Sequence, residues 1–282
     1  MKTYLECIPC FMYQAYRTAT IATDDESKIK KVLDDVGEMI KNIPMDKTPP
    51  EIGNIVYQKI REITGNNDPY SKIKAANINE ALELYPKLKE IIKNSDDSLL
   101  TAIRIAIAGN VIDLGVQKEF NIKEDIQKIL KQEFAVFNYD EFKTHLEKAK
   151  SILYLGDNAG ESVFDRLLIE EINKPVVFAV REIPVINDCI IQDAIDSGID
   201  KVAEIISSGS TAPATILSLC NPEFLEKFKN ADLVISKGQG NYEGLSEESR
   251  SVFFMLKAKC KVIARNLNVN EDDIVLKGIN LN

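Results

Sequence analysis

Apolar residues recur every three or four positions through the first half of the chain. Ile29, Val32, Val36, Met39, Ile40 and Ile43 form one such stripe, preceded by Asp24-Asp25-Glu26. That spacing turns one helix face toward a core, and the acidic triplet supplies a cap and charges suited to the positive helix end. Thr48-Pro49-Pro50 punctuates a second start, followed by Ile52, Ile55, Val56, Ile60 and Ile63 until Gly65-Asn66 closes it. Residues 79–92, 99–112 and 123–134 carry the same period. After Lys150 the texture changes to short β-rich runs separated by helical stretches, spaced as a parallel sheet with right-handed crossovers requires. Strands are expected near 151–155, 175–180, 203–207, 231–236 and 260–265, with a short one at 274–276. The predicted architecture is α/β: an all-helical domain over 1–149, then a Rossmann-like three-layer domain with a mostly parallel sheet over 150–282.

Three of these strands end in polar residues. Ile152-Leu153-Tyr154-Leu155 runs into Gly156-Asp157-Asn158-Ala159-Gly160-Glu161, and Val176 to Val180 leads through Arg181 to Asn187-Asp188. Leu233-Val234-Ile235-Ser236 leads to Lys237-Gly238-Gln239-Gly240-Asn241-Tyr242-Glu243. Ligands of open α/β sheets bind at the carboxyl ends of the strands, where loops and helix N-termini converge. Carboxylates beside an amide carbonyl suit a hard divalent cation facing an anionic substrate. The same atoms of Asp157, Asn158 and Asp188 also serve as ordinary helix caps. If the first two strands are neighbours, Asp188 faces Asp157, and two adjacent ionised carboxylates call for a cation between them. The glycines after Lys237 permit a loop whose amides face phosphate oxygens, with the lysine adding point charge. Arg181 either binds substrate or pairs with Glu182 or Asp188; Asp193 either supports the site or sits on a solvated helix face. The run Ser207 to Thr211 reads as a plain turn. Neither a Walker loop nor a Gly-x-Gly-x-x-Gly turn is present.

Composition narrows the field. A chain of 282 residues with 45% hydrophobic content can bury a substantial core. A formal charge of −9 argues against a nucleic-acid surface. The first residues lack the apolar centre of a signal peptide, and no run approaches the roughly 18 to 20 apolar residues of a membrane span, so a cytoplasmic protein is expected. Five cysteines do not make a disulfide framework. Cys7-Ile8-Pro9-Cys10 has the spacing of a redox or metal pair, but no second pair completes a zinc tetrad, which leaves a reversible disulfide or two small thiols at a helix start. The single histidine, His145, is read as a surface residue, which disfavours Ser-His-Asp hydrolysis.

Taken in order, Cys7-Ile8-Pro9-Cys10, Asp68-Pro69-Tyr70, Gly109-Asn110-Val111-Ile112-Asp113, Gly156 to Glu161, Asn187-Asp188 and Lys237 to Tyr242 resemble the damage-control phosphatase family, formerly domain of unknown function 89, in its branch with an N-terminal Cys-x-x-Cys. The resemblance spans nearly the whole chain. It implies a helical domain beside a Rossmann-like one and metal-dependent hydrolysis of small phosphate monoesters, clearing damaged or surplus phosphometabolites such as sugar phosphates, nucleotides or cofactor intermediates. Manganese, nickel, cobalt or magnesium would serve. Carried over by position, Asp157, Asn158 and Asp188 become metal ligands, and Asp157, Glu161 and Asp188 the candidate catalytic carboxylates. Asn110, Lys237, Gln239, Gly240, Asn241, Tyr242 and Glu243 become the candidate substrate contacts. Some branches carry a late Arg-Thr-x-Lys; this chain reads Arg265-Asn266-Leu267-Asn268 there. The rival readings are a carboxyl methyltransferase using S-adenosylmethionine and a phosphometabolite-binding protein without catalysis. Oligomeric state is left open.

Overall fold

The computed structural model of the chain describes residues 1–109, 128 and 130–281. Five helices come first: α1 (Cys7–Ala22), α2 (Glu26–Ile40), α3 (Pro49–Thr64), α4 (Ser71–Lys93) and α5 (Ser98–Ala108). Their starts are built as the sequence signals. Asp25 accepts from the amides of Ser27 and Lys28, and Asp97 from that of Leu100. Thr48 and Glu51 form a capping box around the prolines of α3. The helix α1 was foreseen only at its start, and α4 begins eight residues before the expected 79.

The strands β1 (Phe134–Phe137), β2 (Ile152–Leu155), β3 (Val176–Val180), β4 (Glu204–Ser207), β5 (Leu233–Lys237), β6 (Val252–Lys257) and β7 (Ile274–Ile279) form one sheet. Between and after them lie α6 (Tyr139–Lys148), α7 (Ser162–Ile172), α8 (Ile191–Asp196), α9 (Pro222–Asn230), α10 (Gly238–Leu245) and α11 (Lys261–Leu267). The described strands stand in the order β1-β7-β6-β5-β2-β3-β4. Only the β6–β7 pair is antiparallel. Side chains of successive strand residues enter alternate faces. Tyr154, Phe178, Ile235 and Phe253 pack with α4 to α7 on one side, while Leu153, Leu155, Val234 and Phe254 pack with α9 to α11 on the other. The result is three layers, as expected. A separate cluster joins α1, α2 and α3 and reaches Val185.

Three expectations need correction. The segment 260–265 is the helix α11, because Val262, Ile263, Ala264 and Leu267 bury one helical face against the sheet. The sixth strand is β6 instead, a continuous apolar run. The segment 123–134, where described, gives way to β1 at Phe134, so the sheet already draws on residues before 149. The expected helix at 99–112 holds to Ala108; residues 110–112 lie outside the described ones. His145 is half-buried, with its ring edge-on to Phe253 at 5.3 Å, and is not a surface residue. Among the described residues no helix is long and apolar enough to cross a membrane.

Candidate functional site

The chain runs outward from β2 in both directions: β3 and β4 on one side, β5 and β6 on the other. The carboxyl ends of β2 and β5 therefore open a crevice at the point where strand order reverses. Beyond β2, Asp157 and Asn158 are tied to the 187–189 loop by backbone bonds: Cys189 N–H donates to Asp157 O at 2.8 Å and Ala159 N–H to Asn187 O at 2.9 Å. Sequence-distant Asp188 is thereby locked beside Asn158. The buried Arg181 guanidinium holds the two acids together, donating from Nε to Asp188 Oδ2 at 2.7 Å and standing 3.8 Å from Asp157 Oδ1. Its two terminal nitrogens also donate to Thr215 Oγ1 at 3.2 Å and Asn241 Oδ1 at 3.1 Å. Arg181 is thus a structural clamp.

Glu161 closes the group. The amide nitrogen of Asn158 donates to Glu161 Oε2 at 3.1 Å and to Asp157 Oδ2 at 3.3 Å. Packed against Asp157, Gly238 has φ +77°, and a Cβ there would stand 2.0 Å from Asp157 Oδ2. The positive end of α10 consequently lies against Asp157. Asp157, Asn158, Glu161 and Asp188 form the floor of a cavity of about 1040 Å³ whose walls include Phe11 and Tyr57 from the first helices and Tyr70 just before α4.

Electrostatically the floor is overcrowded with acids. Burial, then the neighbouring Glu161 and Asp188, push the Asp157 carboxyl up to about 8, against the pull of Lys259 and Arg181. Burial also raises Asp188, with Glu161 adding to it and Arg181 opposing. Among the described residues no three His, Cys, Asp or Glu side chains form a metal cage by themselves. The expected set is two carboxylates and an amide, and its chemistry fits a hard cation. The donors are all oxygen, and acids that burial and neighbouring acids drive toward protonation are relieved by a divalent charge.

The other expected contacts divide. Gln239, Gly240 and Glu243 line the cavity, whereas Lys237, Asn241 and Tyr242 do not. Lys237 is fully buried and bonded to Glu161 and Asp165, so its charge is not offered to a ligand. The expected loop after it is the helix α10. Asn241 is spent on the Thr215 amide, Arg181 and the Gly156 carbonyl, and Tyr242 on Asn266. Asn110 lies outside the described residues. Asp193 pairs with the buried Lys74 at 2.9 Å rather than facing solvent. Lys259, exposed at the cavity and drawing on both Asp157 and Asp188, is a cation that sequence reasoning missed. Its signal was the run Lys257-Ala258-Lys259-Cys260-Lys261 behind an apolar stretch. Cys7, Cys10 and Cys260 line the same cavity as free thiols that burial raises in the first two cases.

The sequence profile of the damage-control phosphatase ARMT1-like domain matches residues 3–275. An uncharacterized protein of Methanocaldococcus jannaschii is 37% identical over 290 residues, covering 98% of this chain and 95% of that one. A damage-control phosphatase of Pyrococcus horikoshii is 34% identical over 98% of this chain and 97% of its own. One from Archaeoglobus fulgidus is 35% identical over 98% and 99%. The crystal structure of a DUF89 family protein from Pyrococcus horikoshii, 34% identical, superposes with a TM-score of 0.89 over 98% of both chains.

Proposed function

Because the chain belongs to the damage-control phosphatase ARMT1-like domain family, we propose that it is a phosphatase that hydrolyses small phosphate monoesters with the help of a divalent cation. The observation that carries this reading is the meeting of Asp157, Asn158, Glu161 and Asp188 on the floor of one cavity, clamped from behind by Arg181. Asp157, Asn158 and Asp188 would hold the cation. Bound there, manganese, nickel, cobalt or magnesium would lower the pKa of a water and offset charge developing on the phosphoryl group. The chain's own groups do the rest. Asp157 or Glu161 orients the attacking water and takes its proton. Arg181 aims Asp188 and opposes the rise that burial gives its pKa. Lys259 meets the ester's negative charge at the cavity mouth, and the Gln239 to Glu243 helix contacts the remainder of the substrate. A cavity far larger than one phosphate suits a phosphorylated metabolite such as a sugar phosphate or nucleotide, cleared when damaged or in surplus.

The test is phosphate release from a panel of phosphorylated metabolites with each of the four metals and with a chelator. Turnover that needs metal and disappears in Asp157→Ala is expected. No release across the panel, or full activity in that variant, would overturn the reading. Measuring methyl transfer from S-adenosylmethionine on the same sample separates the methyltransferase alternative.

A further inference from the structure

Resting on the phosphatase reading, we propose that Lys237 is a positioning residue that acts through Glu161, fixing which of its oxygens faces the cleft. The ammonium is fully buried, and its three donors have three acceptors: Ala106 O at 2.8 Å, Glu161 Oε1 at 2.7 Å, and Asp165 Oδ1. An ammonium has no further proton to give, so it serves no ligand. Glu161 Oε1 is therefore held from behind, and Oε2 is left to Asn158 at the edge of the cavity. The stem is confined as well: a Cβ on Gly109 would lie 3.2 Å from Glu161 Cγ, so backbone closes that side.

Asp165 competes for the same ammonium, and Tyr154 limits the competition. The Tyr154 hydroxyl donates to Asp165 Oδ1 at 2.7 Å, the same oxygen that Lys237 meets, while Oδ2 has no hydrogen-bond partner. Without that hydroxyl, Asp165 draws the ammonium away from Glu161. An ion network of two acids and one base buried beneath a catalytic floor is a poor stabiliser compared with apolar packing of equal volume, which leaves geometry as its use.

The experiment is a double-mutant cycle pairing Lys237→Met with Glu161→Gln, read as kcat and KM separately. Lys237→Met lowers kcat roughly 100-fold, the scale of a misplaced catalytic group, with KM within about threefold of the native value. In the Glu161→Gln background the same change costs less than about threefold, because the group it positions is already gone. Multiplicative losses, or a rise in KM with kcat unchanged, overturn the proposal while leaving the phosphatase reading intact. If Lys237→Met does not fold, Tyr154→Phe carries the same cycle with a smaller loss of about fivefold in kcat. If the native protein hydrolyses nothing, the phosphatase reading fails, and a crystal structure of Tyr154→Phe decides the remaining claim. Glu161 Oε2 moved off Asn158 supports it; Glu161 unmoved overturns it.

Discussion

Gly238→Ala tests the floor of the site with one methyl group. Gly238 sits in the left-handed region at φ +77°, where a side chain costs about 1–2 kcal/mol. The added Cβ would stand 2.0 Å from Asp157 Oδ2 and 2.4 Å from its Cγ, although such contacts essentially never fall below 3.0 Å. The Asp157 carboxylate must retreat by about 1 Å, and a catalytic group misplaced that far loses about 100-fold in rate. Strain in the fold is smaller: at about 2–4 °C per kcal/mol for a chain near this size, the melting temperature drops by about 2–8 °C. Phosphate release at saturating manganese, calorimetric titration with manganese and thermal melting read the three effects separately. Gly37→Ala is the matched control, since that glycine lies within α2 with nothing inside 4 Å of the new Cβ. It is expected to gain up to about 1 kcal/mol of stability with activity unchanged. A Gly238→Ala protein whose kcat/KM and manganese Kd stay within about threefold of native would refute the assignment of Asp157 to the reacting centre.

Further outcomes follow from the same charges. Asp157 holds its proton up to about 8, from 3.8 in an unfolded chain, because it is buried among acids. A proton held more tightly in the fold stabilises it at low pH, and that contribution fades as pH rises from about 4 through 8. The metal-free protein should therefore melt at progressively lower temperature between about pH 5 and pH 8; Asp157→Asn should flatten the trend, and added manganese should reverse it. Asp188→Ala leaves Arg181 without its Nε partner and should cost about 3–5 kcal/mol in denaturant titration, whereas Asp188→Asn retains an acceptor, costs less, and still loses cation affinity. Lys259→Met should raise KM for phosphate esters about tenfold with little change in melting temperature, since Lys259 is exposed; an unchanged KM removes it from the substrate path.

Much of the sheet was readable because β2, β3 and β5 are short, continuous apolar runs bounded by turn residues. β6 has the same composition, yet runs of this length do not announce helix or strand by period, and the strand expected nearby was assigned to 260–265 instead. There the decision belongs to tertiary packing, which buries Val262, Ile263, Ala264 and Leu267 together. At the site, Asp157, Asn158, Glu161 and Asp188 were legible as strand-end polar residues. The direction of Lys237 was legible too, had strand alternation been followed through. Leu233 and Ile235 face α4 to α7, so Lys237, two residues further, points inward to that layer and to Asp165 on α7, away from the cavity. Lys259 was hidden by the misassigned strand.

The arrangement of charge leaves the floor with a deficit of the kind the proposed cation would meet. Around the floor, four buried acids, Asp157, Glu161, Asp165 and Asp188, are met by two buried bases, while the buried Lys74 is taken by Asp68 and Asp193. Lys237 stands behind Glu161 and Asp165; Arg181 stands behind Asp188 and near Asp157. Each base is directed away from the cavity by its other partners, Ala106 O for Lys237 and Thr215 and Asn241 for Arg181. Of the four acids, Asp157, Glu161 and Asp188 line the cavity, and there Asp157 holds its proton up to about 8. Two further buried bases would neutralise the floor and stabilise the fold at neutral pH. They would also abolish the deficit that the proposed divalent ion would fill, so on that reading the instability of the metal-free floor and its affinity for a cation would be one property.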